Sequence, residues 1–127
     1  MPTWTLHTVF TFDAAHYIDG YDGKCANMHG HTYKVQMTAK SSTLHPSKYL
    51  PTADMVCDFK ELKWPATDTQ KGGFDHGLLN DVMETATTAE RLAELIHKRT
   101  VERIPSTIQL TVTVWETPTS WVEYTDE

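Results

Sequence analysis

Three histidines near the start of the chain have a spacing that could hold one metal ion. His29 and His31 flank a glycine in an extended segment, so both imidazoles project to the same side. His16 ends an earlier segment, and pairing of the two segments as a hairpin would place it beside the other two. Three neutral imidazoles with an open fourth position are the ligands of catalytic zinc. Without such a hairpin, the same histidines are polar strand residues.

The two cysteines have different surroundings. Cys25 lies four residues before His29 and fits three roles: a loop thiol, a fourth zinc ligand, or a nucleophile or base activated by neighbouring positive charge. Cys57 stands among apolar neighbours and is typical of a core residue. Two cysteines are too few for a disulfide scaffold, which favours free thiols and a reducing cytosol.

Two carboxylates stand where they could serve proton transfer or binding. Asp75 directly precedes His76, and a carboxylate beside an imidazole can fix its tautomer for acid–base work. Neighbouring side chains diverge in most backbones, so the pair could equally have no chemical role. Glu116 continues the apolar side of the last long alternating segment. It either ends in solvent or meets a partner with two parallel N–H donors, such as the edge of a pterin ring.

The elements that would position these residues follow from periodicity. Alternation of apolar and polar residues predicts four strands, over 3–12, 31–40, 107–116 and 121–124. Capping boxes predict two helices, over 59–64 after Asp58 and over 88–103 after Thr87. This order predicts an α+β domain with a four-stranded antiparallel sheet and both helices on one face. The three other histidines, His7, His45 and His97, fit solvent-facing positions.

Composition narrows the class of protein. The chain has 127 residues, which predicts one domain over 1–127. Its net charge of −6 argues against nucleic-acid binding, which needs a basic face. No apolar run approaches the ~20 residues of a membrane span, and the N-terminus lacks the pattern of a signal peptide. We therefore expect a cytoplasmic protein without a nucleic-acid or membrane partner.

Taken together, the motifs resemble the 6-pyruvoyltetrahydropterin synthase superfamily, and within it the prokaryotic 6-carboxy-5,6,7,8-tetrahydropterin synthases. The resemblance runs from Thr8 to Glu116 with every motif in order. The motifs are Phe12-Asp-Ala-Ala-His16, Cys25-Ala-Asn-Met-His29-Gly-His31, Met55-Val-Cys-Asp58-Phe59, Phe74-Asp75-His76, Leu79-Asn80, Thr88-Ala-Glu90 and Glu116-Thr117. Three residues separate Cys25 from His29, which is similar to the carboxy-type enzymes rather than the pyruvoyl type.

The resemblance implies a fold and a set of roles. The fold would be the tunnelling fold, whose subunits close trimeric β-barrels that stack as hexamers, each a dimer of trimers. His16, His29 and His31 match the zinc ligands. Cys25, Asp75 and His76 match the residues that transfer protons in this family. Glu116 matches the carboxylate that anchors the pterin ring.

The resemblance also implies a reaction. A lyase of this type converts 7,8-dihydroneopterin triphosphate to 6-carboxy-5,6,7,8-tetrahydropterin, releasing acetaldehyde and triphosphate, on the route to queuosine and other 7-deazaguanines. Such an enzyme would belong to a prokaryote or to a virus infecting prokaryotes. Two alternatives stay open: a 6-pyruvoyltetrahydropterin synthase with the same site residues, and a non-catalytic zinc- or pterin-binding module on the same fold.

Overall fold

A mixed sheet organises the chain. The structure, a computed structural model, describes residues 2–67 and 73–126. Five strands lie in the order β3-β1-β2-β4-β5, and only the β1–β3 pair is parallel within this described part. The strands are β1 Trp4–His16, β2 His29–Ser41, β3 Gly77–Leu78, β4 Gln109–Thr117 and β5 Ser120–Thr125. The predicted α+β class is confirmed, but the sheet has five strands instead of four, because a two-residue strand leaves no alternation to detect.

The β1–β2 hairpin is longer than alternation predicted. Both strands have 13 residues, so β1 continues past Phe12 to His16 and β2 begins at His29. The two strands pair antiparallel over their whole length, which confirms the predicted hairpin. At its loop end, His16 lies opposite His29, and Ala14 lies opposite His31. The loop over 17–28 connects these two ends.

The core lies on one face of the sheet. Alternate residues of β1, β2 and β4 face inward and are buried; they include Phe12, Tyr33, Val35, Met37, Val112 and Val114. Helical residues cover them, among them Leu62, Trp64, Leu79, Leu92 and Ile96. The opposite face carries mostly threonine, lysine and glutamine, as expected for a sheet with one buried side.

The helices are shorter and more numerous than predicted. They are α1 Phe59–Leu62, α2 Trp64–Thr67, α3 Leu79–Val82 and α4 Ala89–Val101. The Asp58 cap is confirmed, because its carboxylate accepts the Lys60 N–H at 2.8 Å. The predicted single helix over 59–64 is divided in two, because α1 ends at Leu62 and α2 begins at Trp64.

Helix α4 begins one residue later than its predicted cap requires. The hydroxyl of Thr88, not Thr87, accepts the N–H of Arg91 at 3.2 Å. The helix also buries His97, whose Nε2 lies 3.0 Å from the carbonyl oxygen of Leu110, so its predicted exposure is wrong. At 13 residues α4 is the longest helix in the described parts of the chain, and none there could cross a membrane.

A candidate metal centre beside an acid–base pair

The loop end of the β1–β2 hairpin brings three imidazoles together. The ring centroids of His16 and His29 are 4.5 Å apart, and His31 lies 5.1 Å and 4.8 Å from them. One ligand nitrogen of each ring lies within 4.8 Å of the others. Pairing of His16 with His29 across the hairpin creates this arrangement, because His31 follows on the same face of β2. The three side chains form a candidate metal centre.

Backbone carbonyls fix the tautomers of two of these rings. The Nδ1 of His16 lies 2.8 Å from the carbonyl oxygen of Thr87, and the Nδ1 of His29 lies 2.7 Å from that of Asn27. A carbonyl oxygen only accepts, so each Nδ1 carries the hydrogen and each neutral ring keeps a bare lone pair on Nε2. The two Nε2 atoms are 3.0 Å apart. Two lone pairs at this distance repel unless a cation lies between them.

The third ring adds an unpaired nitrogen. Among the described residues, the Nε2 of His31 is buried without a hydrogen-bond partner. Burial lowers the pKa of His31, an effect that the charge of Glu116 opposes and the other two histidines reinforce. The ring is therefore neutral near pH 7 and can donate its lone pair to a metal. The donor set and its orphaned nitrogen fit a metal ion with three protein ligands.

Asp75 and His76 form a close pair despite being neighbours in sequence. The Oδ2 of Asp75 lies 2.9 Å from the Nδ1 of His76. His76 adopts a φ of 60°, in the left-handed region, and this turn lets two consecutive side chains meet. The N–H of His76 donates to the carbonyl oxygen of Asp13 at 2.6 Å, which holds the turn in place. The imidazole itself is 78% exposed, so it can exchange protons with a ligand.

The carboxylate of Asp75 is held in its charged form. The backbone N–H of Asp13 donates to Asp75 Oδ1 at 3.0 Å. This hydrogen bond, followed by the one to His76, lowers the pKa of Asp75. An ionised carboxylate next to Nδ1 favours a hydrogen on that nitrogen and leaves the Nε2 of His76 for proton transfer.

One pocket joins the candidate metal centre to this pair. His31 and His76 both line a pocket of about 450 Å³, together with Gly30 and Gly77. A side chain at Gly30 would meet only the carbonyl oxygen of Ala14, at 3.8 Å, so the glycine leaves this pocket open. A larger cavity of about 900 Å³ runs along α4 and includes none of the predicted site residues.

Cys25 lies in the loop that connects two of the metal-site histidines. It occupies a short 3₁₀ turn, Lys24–Ala26, and its carbonyl oxygen accepts the N–H of Ile18 at 2.7 Å. Gly23 precedes this turn with a φ of 151°, and a Cβ there would come within 2.8 Å of the Tyr21 ring. In the described structure the thiol does not join the cluster of three histidines.

Glu116 has a partner at the end of β4. Its Oε1 lies 3.6 Å from the Nε2 of His31, and its side chain is 26% exposed. Glu116 therefore lies beside the candidate metal centre, with part of its carboxylate exposed. Cys57 is 7% exposed, and burial, with the charges of Glu61 and Asp58, raises its pKa to about 11. That thiol stays protonated in the core.

Sequence reasoning assigned no role in the site to two residues that hold it, since Thr87 was predicted only as a helix cap and Asn80 only as part of a motif. Thr87 supplies the carbonyl oxygen that fixes His16, and its hydroxyl donates to the carbonyl oxygen of Tyr17 at 2.8 Å. The side chain of Asn80 makes two hydrogen bonds to the backbone of Tyr17. Asn80 stands in the Leu79-Asn80 motif, but its partner is 63 residues away, and no spacing rule identifies it.

Sequence comparisons find a matching family and similar proteins over most of the chain. The family model described as 6-pyruvoyl tetrahydropterin synthase matches residues 5–127. The 6-carboxy-5,6,7,8-tetrahydropterin synthase of Haemophilus influenzae is 35% identical, over 91% of this chain and 94% of the relative. The protein of the same name from Synechocystis is 32% identical, over 95% of this chain and 92% of its own length.

Solved structures support the fold. The 6-pyruvoyl tetrahydropterin synthase of Caenorhabditis elegans superimposes with a TM-score of 0.74 at 24% identity, covering 100% of this chain and 98% of its own. The Plasmodium vivax enzyme of that name gives a TM-score of 0.68 at 17% identity, covering 100% and 99%. Both therefore have the fold described above, the tunnelling fold. By its match over nearly the whole length, the chain belongs to the 6-pyruvoyl tetrahydropterin synthase family of enzymes.

Proposed function

We propose that the protein is a zinc-dependent lyase that converts 7,8-dihydroneopterin triphosphate to 6-carboxy-5,6,7,8-tetrahydropterin, with release of acetaldehyde and triphosphate, in 7-deazaguanine and queuosine biosynthesis. The observation that carries this proposal is the shared pocket of His31 and His76, which joins three convergent histidines to a carboxylate–imidazole pair. Relatives at 32% to 35% identity carry the name of the carboxy-type synthase, which favours that product over the pyruvoyl product.

The three histidines are the proposed zinc ligands. His16 and His29 present bare Nε2 lone pairs whose orientation the carbonyl oxygens of Thr87 and Asn27 fix. His31 adds a buried nitrogen that makes no hydrogen bond in the described structure. When bound there, zinc would supply Lewis acidity that polarises the side-chain oxygens of the substrate.

The remaining site residues have proposed roles in proton transfer and binding. Cys25 would take a proton from the substrate side chain as a thiolate, and His76, oriented by Asp75, would return protons. The exposed imidazole of His76 faces the pocket, which suits this role. Glu116 would accept two parallel N–H groups of the pterin ring, since its carboxylate is partly exposed beside His31.

The remaining proposals concern organisation. We propose one domain over 1–127, supported by the family match over residues 5–127. Edge strand β5 and the free edge of β1 beyond β3 leave backbone groups available for pairing, which supports a barrel-forming homo-oligomer, a hexamer built as a dimer of trimers. Bacterial relatives and two free cysteines support a place in a prokaryotic cytoplasm.

Incubation of the zinc-loaded protein with 7,8-dihydroneopterin triphosphate tests the reaction. We expect mass spectrometry to detect 6-carboxy-5,6,7,8-tetrahydropterin and acetaldehyde. Cys25→Ala should keep zinc and lose turnover, whereas Cys57→Ala, which alters a core thiol, should keep turnover in the folded protein. A 6-pyruvoyl product would refute the carboxy-type assignment, and the absence of any product would favour a binding module.

A further inference from the structure

The segment over 75–80 holds the end of β1 and the following Tyr17 by two paired strand positions and four further hydrogen bonds. Strand β3 pairs parallel with β1, with Gly77 beside Ala14 and Leu78 beside Ala15. On one side of this short ladder, Asp75 accepts the N–H of Asp13, and the N–H of His76 donates to the carbonyl oxygen of Asp13. On the other side, the side chain of Asn80 bonds both backbone groups of Tyr17, at 3.0 Å and 2.9 Å.

The side-chain amide of Asn80 takes the place of a backbone peptide group on a neighbouring strand. Its Oδ1 accepts the N–H of Tyr17, and its Nδ2 donates to the carbonyl oxygen of Tyr17, as a peptide group of a neighbouring strand would do. The same carbonyl oxygen accepts the hydroxyl of Thr87 at 2.8 Å, so both of its lone pairs are used. The backbone that follows His16 is therefore fixed by two side chains from outside β1.

This fixation bears directly on the candidate metal centre. His16 is fully buried, and Tyr17 is the next residue along the chain. Thr87, which shares the Tyr17 carbonyl with Asn80, also supplies the acceptor for the Nδ1 of His16. A shift of the Tyr17 peptide would therefore move the ring whose Nε2 faces His29 at 3.0 Å.

We propose that Asn80 is a positioning residue for the metal centre, holding His16 through the backbone of Tyr17 and joining it to the segment that carries Asp75 and His76. The inference rests on the proposed metal-binding role of the three histidines. In the described part of the chain, the hydrogen bonds of the Asn80 side chain go to Tyr17 and to none of the three histidines. Its effect is to pre-orient one ligand, and loss of such outer partners weakens metal sites by roughly 10- to 100-fold.

Metal affinity of Asn80 variants tests this role. We expect Asn80→Ala to bind Zn²⁺ about tenfold or more weakly than the wild-type protein, in competition with a chromogenic chelator. Asn80→Asp has nearly the same shape but places a carboxylate oxygen, not a donor, against the Tyr17 carbonyl. Asn80→Asp should also bind Zn²⁺ more weakly than the wild-type protein. It replaces the alanine variant in this test if the alanine variant does not fold.

A matched control separates positioning from general destabilisation. Thr100→Val removes the acceptor of the buried Trp64 Nε1–H, at 2.9 Å, near the far end of α4. It should lower the free energy of unfolding but leave Zn²⁺ affinity unchanged. Amide hydrogen exchange supplies a second readout, in which Asn80→Ala should speed exchange at Tyr17 and His76 and the control should not.

Each outcome bears on the proposal. Equal Zn²⁺ affinity of Asn80→Ala and wild type would overturn it, as would an equal loss of affinity in Thr100→Val. Absence of Zn²⁺ binding by the wild-type protein would overturn the proposed metal function itself, and the inference with it. Weaker binding confined to the Asn80 variants, with faster exchange at Tyr17, would support it.

Discussion

Replacement of His29 by alanine should change the free energy of unfolding little without metal and lower it strongly in the presence of Zn²⁺. In the metal-free protein, the Nε2 atoms of His29 and His16 are 3.0 Å apart, and two rings that both carry their hydrogen on Nδ1 repel each other at this distance. Alanine at position 29 removes this repulsion and also removes the hydrogen bond from Nδ1 to the Asn27 carbonyl oxygen. We expect these effects to oppose each other, so the metal-free variant should be about as stable as the metal-free wild type.

The magnitudes follow from the contacts. The lost hydrogen bond is exposed to solvent and contributes about 0.5–1.5 kcal/mol at most. Relief of the Nε2 contact offsets it, so the free energies of unfolding should agree within about 1 kcal/mol in chelator. With free Zn²⁺ at about 1,000 times its dissociation constant, binding stabilises the wild type by about 4 kcal/mol. If the variant binds a thousandfold more weakly, the same Zn²⁺ adds about 0.4 kcal/mol.

Urea unfolding of both proteins, in chelator and in buffered Zn²⁺, measures these four free energies. His7→Ala is the matched control, because His7 is an exposed histidine on β1, the strand that pairs with β2, and lies outside the candidate metal centre. It should keep the full Zn²⁺ stabilisation. An equal Zn²⁺ stabilisation of His29→Ala and wild type would refute the metal centre. A metal-free variant less stable by several kcal/mol would refute the account of two opposed lone pairs.

Two further predictions concern titratable groups. The pKa of Asp75 is lower in the folded than in the unfolded chain, so its contribution to stability is present above about pH 4 and lost as pH falls. Urea midpoints should therefore fall more steeply on acidification for wild type than for Asp75→Asn, and parallel curves would contradict this. Iodoacetamide near neutral pH should modify Cys25 in the folded protein and Cys57 only after unfolding, because the Cys57 thiol is 7% exposed with a pKa of about 11. Mass spectrometry of the native protein checks this, and rapid labelling of Cys57 would count against it.

Alternation was enough to predict the hairpin that assembles the candidate metal centre. Side chains of a strand alternate between faces, so the apolar parity of β1 and β2 also fixes the direction of His16 and His31. Pairing of the two strands then brings their ends together, whatever the sequence of the loop between them. The three histidines could be placed together for this reason, although their liganding role stays a proposal.

The contacts that orient the site could not be predicted in this way. Thr87 and Thr88 are adjacent and chemically identical, and either could cap α4. The structure uses Thr88 as the cap because the hydroxyl of Thr87 donates to Tyr17, 70 residues earlier. The left-handed turn at His76 likewise depends on a distant acceptor, the carbonyl oxygen of Asp13. Such choices depend on tertiary contacts, which local patterns do not contain.

The candidate metal centre lies where the inward face of the sheet changes from apolar to polar. Along β2, the inward positions pass from buried Val35 through Tyr33 to His31, and along β4 they pass from Val114 to Glu116. Tyr33 is 1% exposed, and the centroid of its ring lies 5.5 Å from that of His31 and 6.0 Å from that of His16. Apolar packing on one side thus desolvates the histidines, and desolvation keeps His31 neutral. A neutral imidazole can bind a metal, whereas the same ring in water would be partly protonated near pH 6.5. The core therefore does more than stabilise the fold, because it sets the protonation state that the proposed zinc site requires.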